Sequence, residues 1–336
     1  MNTLIQVEQL SRYYGDHLAV DNVSFSLEKG EILGFLGPNG AGKSTTMQMI
    51  CANLAPSSGQ VRINGIDILD NPKEAKAELG YLPENPPVYR ELTVDEYLGY
   101  CAKLHRIAKD KVKAALDNAK ARCGLSDVGA RLIGNLSKGY QQRVGIAQAI
   151  LHSPAVIILD EPTVGLDPIQ IREIRQLIRD LGQEHGIILS THILPEVQES
   201  CSKVQIIHQG RLVLSDSIAG MEQRMSSSSL AISTRQPPDT ALLAAIPGVK
   251  SVEALDHQRY RIFHDKQANP AEQVAQLVVT QGWGLAELVP EKRTIEQIFV
   301  EITQTPHPGP TQEPTSGPLS PRERDGVRAA NQETQP

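Results

Sequence analysis

Aromatic residues are scarce in this chain: they make up 4% of its 336 residues, with one tryptophan and four phenylalanines. Any core must therefore be built mainly from Leu, Ile, Val and Ala. Long apolar runs are missing too. A bilayer span takes roughly 18 consecutive apolar residues, whereas the longest runs here, at 32–36 and 155–159, are strand-sized. No membrane-spanning helix is expected. The opening Met-Asn-Thr-Leu-Ile-Gln-Val-Glu lacks the basic start and apolar stretch of a signal peptide, so a cytoplasmic location is expected. Cysteine is rare, and Cys51, Cys101, Cys123 and Cys201 form no CxxC pair. That spacing excludes a zinc site or a disulfide frame and leaves reduced, packed thiols. Basic charge is not in excess either: 33 Lys and Arg stand against 39 Asp and Glu, a net charge of −6. Such a balance suits a protein that does not track nucleic-acid phosphates. What is present is a globular composition, 40% hydrophobic and 21% charged, in a chain long enough for one large domain and a small one.

Through about residue 220, short β-branched runs alternate with longer helical stretches, the pattern of an α/β domain with a largely parallel sheet. The near-continuous apolar runs at 32–36, 156–159 and 187–189 read as strands covered on both faces. Between the first two lies a helical insertion, at about 92–135. Thr93-Val-Asp-Glu96 is a capping-box sequence opening a helix to about His105. A second helix, at 109–123, places Val112, Ala115, Leu116 and Ala119 on one face. A serine run then suggests a linker over 223–229. Beyond it the predicted order is strand 230–233, helix 240–246, strands 249–253 and 260–263, helix 271–281 and strand 285–289. This is a split-βαβ, ferredoxin-like α+β unit over 230–303. Thr294 caps a last helix ending near Ile302, and 304–336 is a Pro-rich tail expected to be disordered.

Four segments carry chemistry. Gly37-Pro38-Asn39-Gly40-Ala41-Gly42-Lys43-Ser44-Thr45 matches GxxxxGK(S/T) between a strand and a helix. In such a loop the backbone N–H groups curl inward on a polyphosphate and the helix N-terminus adds its dipole. Lys43 would reach the β- and γ-phosphates, and the Ser44 hydroxyl would ligate Mg²⁺. Asp160 and Glu161 end an apolar strand, which alone is often only a solvated strand end. After a phosphate loop, Asp160 fits the metal and Glu161 the general base that orients water. Asn135-Leu-Ser-Lys-Gly-Tyr-Gln-Gln-Arg143 leads into a helix, and Ser190-Thr-His192 follows another buried strand.

With these four in order, residues 3–220 resemble the nucleotide-binding subunit of an ABC transporter, a P-loop NTPase of the ABC ATPase type spanning 1–222. The resemblance implies that Tyr14, which abuts Gly15, stacks on adenine rather than Tyr13, and that Ser137 and Gly139 meet the γ-phosphate held by a second copy of the chain. It implies that His192 holds the γ-phosphate, and that Asp167 lies in a loop communicating between two active sites. Glu84 stands where the family usually has Gln, in a segment linking the Mg²⁺ shell to the membrane partner. The signature reads Leu136-Ser-Lys-Gly-Tyr140 instead of Leu-Ser-Gly-Gly-Gln, so Lys138 either faces phosphate or points to solvent. The cofactors implied are ATP and Mg²⁺. The partners implied are a second copy of the chain, head to tail around two ATP, and a separate transmembrane permease on the cytoplasmic face of the inner membrane. Within the family, the signature, Glu84 and a small C-terminal unit resemble type-2 exporters, including the gliding-motility-associated group.

The alternative from another class is a soluble ABC ATPase acting on ribosomes or nucleic acid. One P-loop cassette, no sustained heptads between Ser44 and Ser137, and the acidic balance all weigh against it. A GTP switch lacks its Asn-Lys-x-Asp motif.

Overall fold

The computed structural model describes residues 3–256, 258–265 and 267–292. Two long antiparallel strands, β1 (Thr3–Tyr14) and β2 (His17–Glu28), open the fold and meet in a tight turn. Strand β3 (Ile32–Leu36), helix α1 (Lys43–Ile50), strands β4 (Ser58–Ile63) and β5 (Ile66–Asp67), helix α2 (Pro72–Ala77) and strand β6 (Leu79–Leu82) follow. Helices α3 (Val94–Leu104), α4 (Lys109–Cys123) and α5 (Lys138–Ile150) precede β7 (Val156–Asp160), α6 (Pro168–Gly182) and β8 (Gly186–Thr191). Helix α7 (Leu194–Ser200), β9 (Lys203–His208) and β10 (Arg211–Ser217) complete this part.

The main sheet has six strands in the order β10-β9-β3-β8-β7-β6, parallel except where β10 pairs back on β9. Every residue of β3, β7 and β8 is buried, as their unbroken apolar runs predict for strands covered on both faces. A second sheet, β2-β1-β4-β5, is antiparallel. Leu10, Val20, Leu27 and Val61 from it pack with Phe35, Ile188 and the buried face of α1, Met47 and Ile50.

The antiparallel sheet was not anticipated from the sequence, and backbone irregularity explains why. β1 shifts register between Val7 and Leu10, with Gln9 in left-handed backbone at φ 49°. Such bulges reverse which side faces inward, so Leu4 and Ile5, then Leu10 and Ser11, are buried as neighbours and the period of two is lost.

The helical insertion shares the core of the main sheet rather than forming its own. Tyr97, Leu98, Cys101 and Ala119 pack with Ile146 and Ala147 of α5 and Ile174 and Ile178 of α6. Its first helix starts where the sequence places it: Glu96 N donates to Thr93 Oγ1 at 3.2 Å, while Thr93 N donates to the Glu96 carboxylate at 2.8 Å. On α4, Ala119 and Cys123 are buried, and Val112, Ala115 and Leu116 pack against the same core at partial depth. All four cysteines are free thiols. Burial pushes the Cys123 thiol up to about 12.

The expected linker is not one. Helix α8 (Ile218–Met225) leads without a break into β11 (Ser226–Thr234), so 223–229 are helix end and strand. Serine does not prevent strand pairing when neighbours supply the ladder, and β11 runs between two partners. Helix α9 (Thr240–Ala244), strands β12 (Val249–Ala254) and β13 (Arg259–His264), helix α10 (Ala271–Thr280) and strand β14 (Leu285–Lys292) follow. The sheet order β12-β13-β11-β14, all antiparallel, is the ferredoxin-like arrangement. Leu243 of α9 and Val274 and Val278 of α10 cover one face of it with Leu230, Ile232, Tyr260 and Ile262. The helix expected at 294–302 and the tail lie outside the described residues.

Where the insertion meets the sheet, the rings of His105 and His152 stack with centroids 3.9 Å apart and planes 10° apart. The His152 Nε2 lies 3.1 Å from the Leu79 carbonyl oxygen. Burial, then the neighbouring His105 charge, pushes His152 down to about 4, against about 6.5 for the free side chain. The unfolded chain therefore takes up this proton first. Stability from the neutral pair is fully present above about pH 6.5 and is lost as pH falls through about 4. Urea midpoints measured from pH 7 to 4 should fall steadily for the wild type and less steeply for His152→Phe, which keeps the stack without titrating. Equal slopes would contradict this account.

Candidate nucleotide site

The site is built where parallel strands end side by side. Pairing of Asp160 with Ser190 continues past β7 through a hydrogen bond from Glu161 N to Ser190 O at 2.8 Å. This register carries Glu161 alongside the chain that leaves β8 toward His192. Glu161 bends out of the strand in left-handed backbone, φ 49°, a conformation that strains a residue with a long side chain. Its carboxylate is buried, and His192 Nδ1 lies 3.0 Å from each of its oxygens.

On the neighbouring strand, β3 ends at Leu36 and the loop curls into α1. Gly42 caps that helix at φ 105°, where a Cβ would also stand 2.7 Å from the Ala19 carbonyl, so only glycine fits. The buried Lys43 ammonium donates to the carbonyls of Gly37 at 2.8 Å and Pro38 at 3.2 Å and stands 3.7 Å from Glu161 Oε1. One cation thus holds the shape of the loop and faces the acid of the next strand but one.

A cleft of about 560 Å³ opens at this point. Asn39, Gly40, Gly42, Lys43, Ser44 and Thr45 of the loop and helix start line it together with Tyr14, Glu84, Glu161 and His192. Tyr14 is half-exposed at the β1–β2 turn, and the Arg12 guanidinium sits 4.9 Å over its ring. Tyr13 is not among the residues lining the cleft. Gly37, Pro38 and Ala41 are not among the lining residues. Asp160, the last residue of β7, is buried and does not line the cleft, and its Oδ1 has no hydrogen-bond partner among the described residues. An orphaned buried carboxylate oxygen suits a hard cation that takes oxygen ligands. Among the described residues, no cluster of three His, Cys, Asp or Glu could hold a metal by itself. A Mg²⁺ here would share its shell with phosphate oxygens, as that ion commonly does.

Ser137, Gly139 and Asp167 do not line this cleft. Ser137 is the N-cap of α5, its hydroxyl accepting from Tyr140 N at 3.4 Å. Asp167 caps α6, accepting from Ile169 N and Gln170 N at 2.9 Å each. The Lys138 side chain is exposed, and its ammonium lies across Gly165, at φ 73°, close enough that a Cβ there would overlap it. It packs on the loop ahead of Asp167. The sequence reading missed His17, Ala19 and Val164, which also line the cleft. For His17 a signal existed, since it pairs with Tyr14 across the turn. Ala19 and Val164 carry none.

Residues 20–164 match the family model for ABC transporter ATP-binding domains, described as "ABC transporter". The chain is 42% identical over 215 residues to the bacitracin transport ATP-binding protein BcrA of Bacillus licheniformis, covering 63% of this chain and 69% of that one. It is 32% identical over 312 residues to an uncharacterized ABC transporter ATP-binding protein of Bacillus subtilis, YhcH, covering 90% and 97%. Among solved structures, cbiO1 from Clostridium perfringens, part of the ABC transporter complex cbiONQ, superimposes with a TM-score of 0.60 at 29% identity over 66% of this chain and 91% of that one. This chain belongs to the ATP-binding subunits of ABC transporters. It is a P-loop ATPase.

Lys43→Ala removes the ammonium shared by the loop carbonyls and Glu161. Truncating one partner of a buried charge pair typically costs about 2–5 kcal/mol in binding, so ATP affinity measured by calorimetry should fall at least about thirtyfold. Unchanged affinity would show that the loop backbone alone holds the nucleotide.

Proposed function

We propose that this subunit dimerises around two ATP molecules and, on hydrolysing them, drives a separate transmembrane permease, as an exporter. The observation that carries the reading is the meeting of Lys43, Glu161 and His192 at one cleft. Together they provide an anion-holding cation, a buried base and a second hydrogen-bonding group beside the base.

In this reading the P-loop amides from Gly37 to Thr45 and Lys43 hold the β- and γ-phosphates. Tyr14 stacks on the adenine with the face that Arg12 does not cover, reading a π-surface and little of its edge. Ser44, Asp160 and Glu84 hold Mg²⁺, which when bound neutralises charge on the β- and γ-phosphate oxygens. Glu161 accepts a proton from the attacking water. His192 donates from Nδ1 to Glu161, leaving Nε2 for the γ-phosphate, to which it donates once the ring is protonated. The N-terminus of α5, with Ser137 and Gly139, does not line its own cleft. Its natural ligand is the γ-phosphate bound by a second copy, because a helix N-terminus with an unliganded backbone attracts anions. Asp167 then lies in the loop between the two sites. Hydrolysis removes the anion that holds two positive surfaces together, and the halves part.

No helix among the described residues is long and apolar enough to cross a membrane. A transporter subunit of this kind works from the cytoplasmic face, bound to a permease that is another polypeptide. BcrA is named for bacitracin transport, and the export direction proposed here rests on the resemblance of the signature and Glu84 to type-2 exporters. We take the ferredoxin-like unit, starting at Ser226, as an accessory domain, and nucleic acid is not an expected ligand of so acidic a chain.

Two variants test this reading. Glu161→Gln removes the base and keeps the shape, so kcat should fall at least about a hundredfold, and light scattering should show an ATP-dependent dimer that persists. Fast turnover, or a monomer with ATP bound, would overturn the assignment. Glu84→Gln replaces a carboxylate with an amide at the cation. One full charge at contact distance is worth about 1 kcal/mol or more, so Mn²⁺ affinity of the ATP-bound protein, read by electron paramagnetic resonance, should weaken at least about fivefold. Equal affinity would remove Glu84 from the metal shell.

A further inference from the structure

Glu196 is the most deeply buried carboxylate of the described residues, with 1% of its surface exposed, and it is absent from the cleft lining. It sits in the first turn of α7. Its two oxygens are shared out: Oε1 accepts from the Thr163 hydroxyl, and Oε2 accepts from the Thr191 hydroxyl at 2.8 Å. Burying a carboxylate is costly unless it is well hydrogen-bonded, and apolar packing of the same volume is often the more stable choice. Something other than stability must be served by an acid here.

The two threonines say what. Thr163 lies two residues beyond Glu161, in a turn closed by Val164 N donating to Glu161 O at 3.3 Å. Thr191 ends β8 directly before His192, and its hydroxyl also accepts from Ile193 N at 3.1 Å. His192 is thus bracketed by two residues tied to one oxygen. A single carboxylate joins the segment that carries Glu161 to the segment that carries His192, from beneath. The surface pair these segments support is close, 3.0 Å between Nδ1 and either oxygen. It is also under strain, because Glu161 is held in left-handed backbone.

We propose that Glu196 is a positioning residue for ATP hydrolysis, a buried brace that fixes His192 relative to Glu161 through Thr191 and Thr163. It acts from outside the residues that line the cleft. The two threonine hydroxyls donate to different oxygens of one carboxylate; glutamine would keep an acceptor at one of these places and turn an NH2 donor toward the other hydroxyl. Catalytic groups must be held to within a fraction of an ångström, and small misplacements remote from the chemistry are felt in turnover before binding. The proposal rests on the reading of Glu161 and His192 as the hydrolytic pair.

The test uses the full chain and a double-mutant cycle. In Glu196→Gln, kcat for ATP should fall about ten- to a hundredfold, with KM for ATP within about twofold and the melting temperature little changed. In a His192→Ala background the same substitution should cost less than about twofold more, because the group it positions has gone. Thr163→Val, which removes one donor at constant volume, should show the same dependence on His192, and Thr163→Ser should restore turnover. If Glu196→Gln fails to fold, the Thr163 pair carries the test alone. Equal losses with and without His192, or a rise in KM that parallels the fall in kcat, would assign Glu196 to simple scaffolding and overturn the proposal. Wild-type turnover in His192→Ala itself would overturn the reading of the hydrolytic pair and the brace with it, so the two failures are told apart by that single variant.

Discussion

Parallel pairing of β7 with β8, in register from Val156 opposite Gly186 to Asp160 opposite Ser190, is the constraint on which the rest of the structure depends. With β3 on the other side of β8, it brings three strand ends to one edge of the sheet, where ligands of open α/β folds bind. From one end springs the phosphate loop, from the second the acids Asp160 and Glu161, and from the third His192. A shift of one residue between β7 and β8 would turn Asp160 and Glu161 to the wrong faces. The full burial of these strands makes such a shift expensive, because every residue in them packs on one layer or the other.

That rigidity lets the site hold charges that would otherwise not stay buried. Lys43, Asp160, Glu161 and Glu196 are all nearly inaccessible to water, in a chain whose net charge is negative. Three of the four are answered locally. Lys43 is held by two carbonyls and an acid, Glu161 by Lys43 and His192, and Glu196 by two hydroxyls. Asp160 alone keeps an oxygen without a partner among the described residues. An anion-binding centre can therefore exist inside an acidic protein, since local donors and not net charge set the field at a few ångströms.

Much of this was legible in the chain. The glycine-rich loop, the Asp-Glu strand end and the histidine after a buried strand stand in order in the sequence, and unbroken apolar runs locate β3, β7 and β8. The Thr93 capping box located a helix to within a residue, because a cap is a local interaction with a local signature. The antiparallel sheet was not legible. Its strands are bulged at Gln9 and Asn22, and the alternation that marks a half-buried strand is broken there. The serine run at 223–229 misled for a related reason: side-chain polarity says little about a strand whose ladder partners lie far along the chain. Glu196 left no trace at all. One acid on a short helix is ordinary in sequence, and only the convergence of Thr163 and Thr191 on it gives it meaning.

The central claim is that ATP turnover in this chain moves a separate membrane protein. The most direct test is affinity purification of a tagged Glu161→Gln variant from native membranes in ATP, with the co-purified polypeptides identified by mass spectrometry. The account predicts stoichiometric recovery of a hydrophobic protein with several membrane spans. Recovery of ribosomes or nucleic acid, with no such membrane protein, would contradict it.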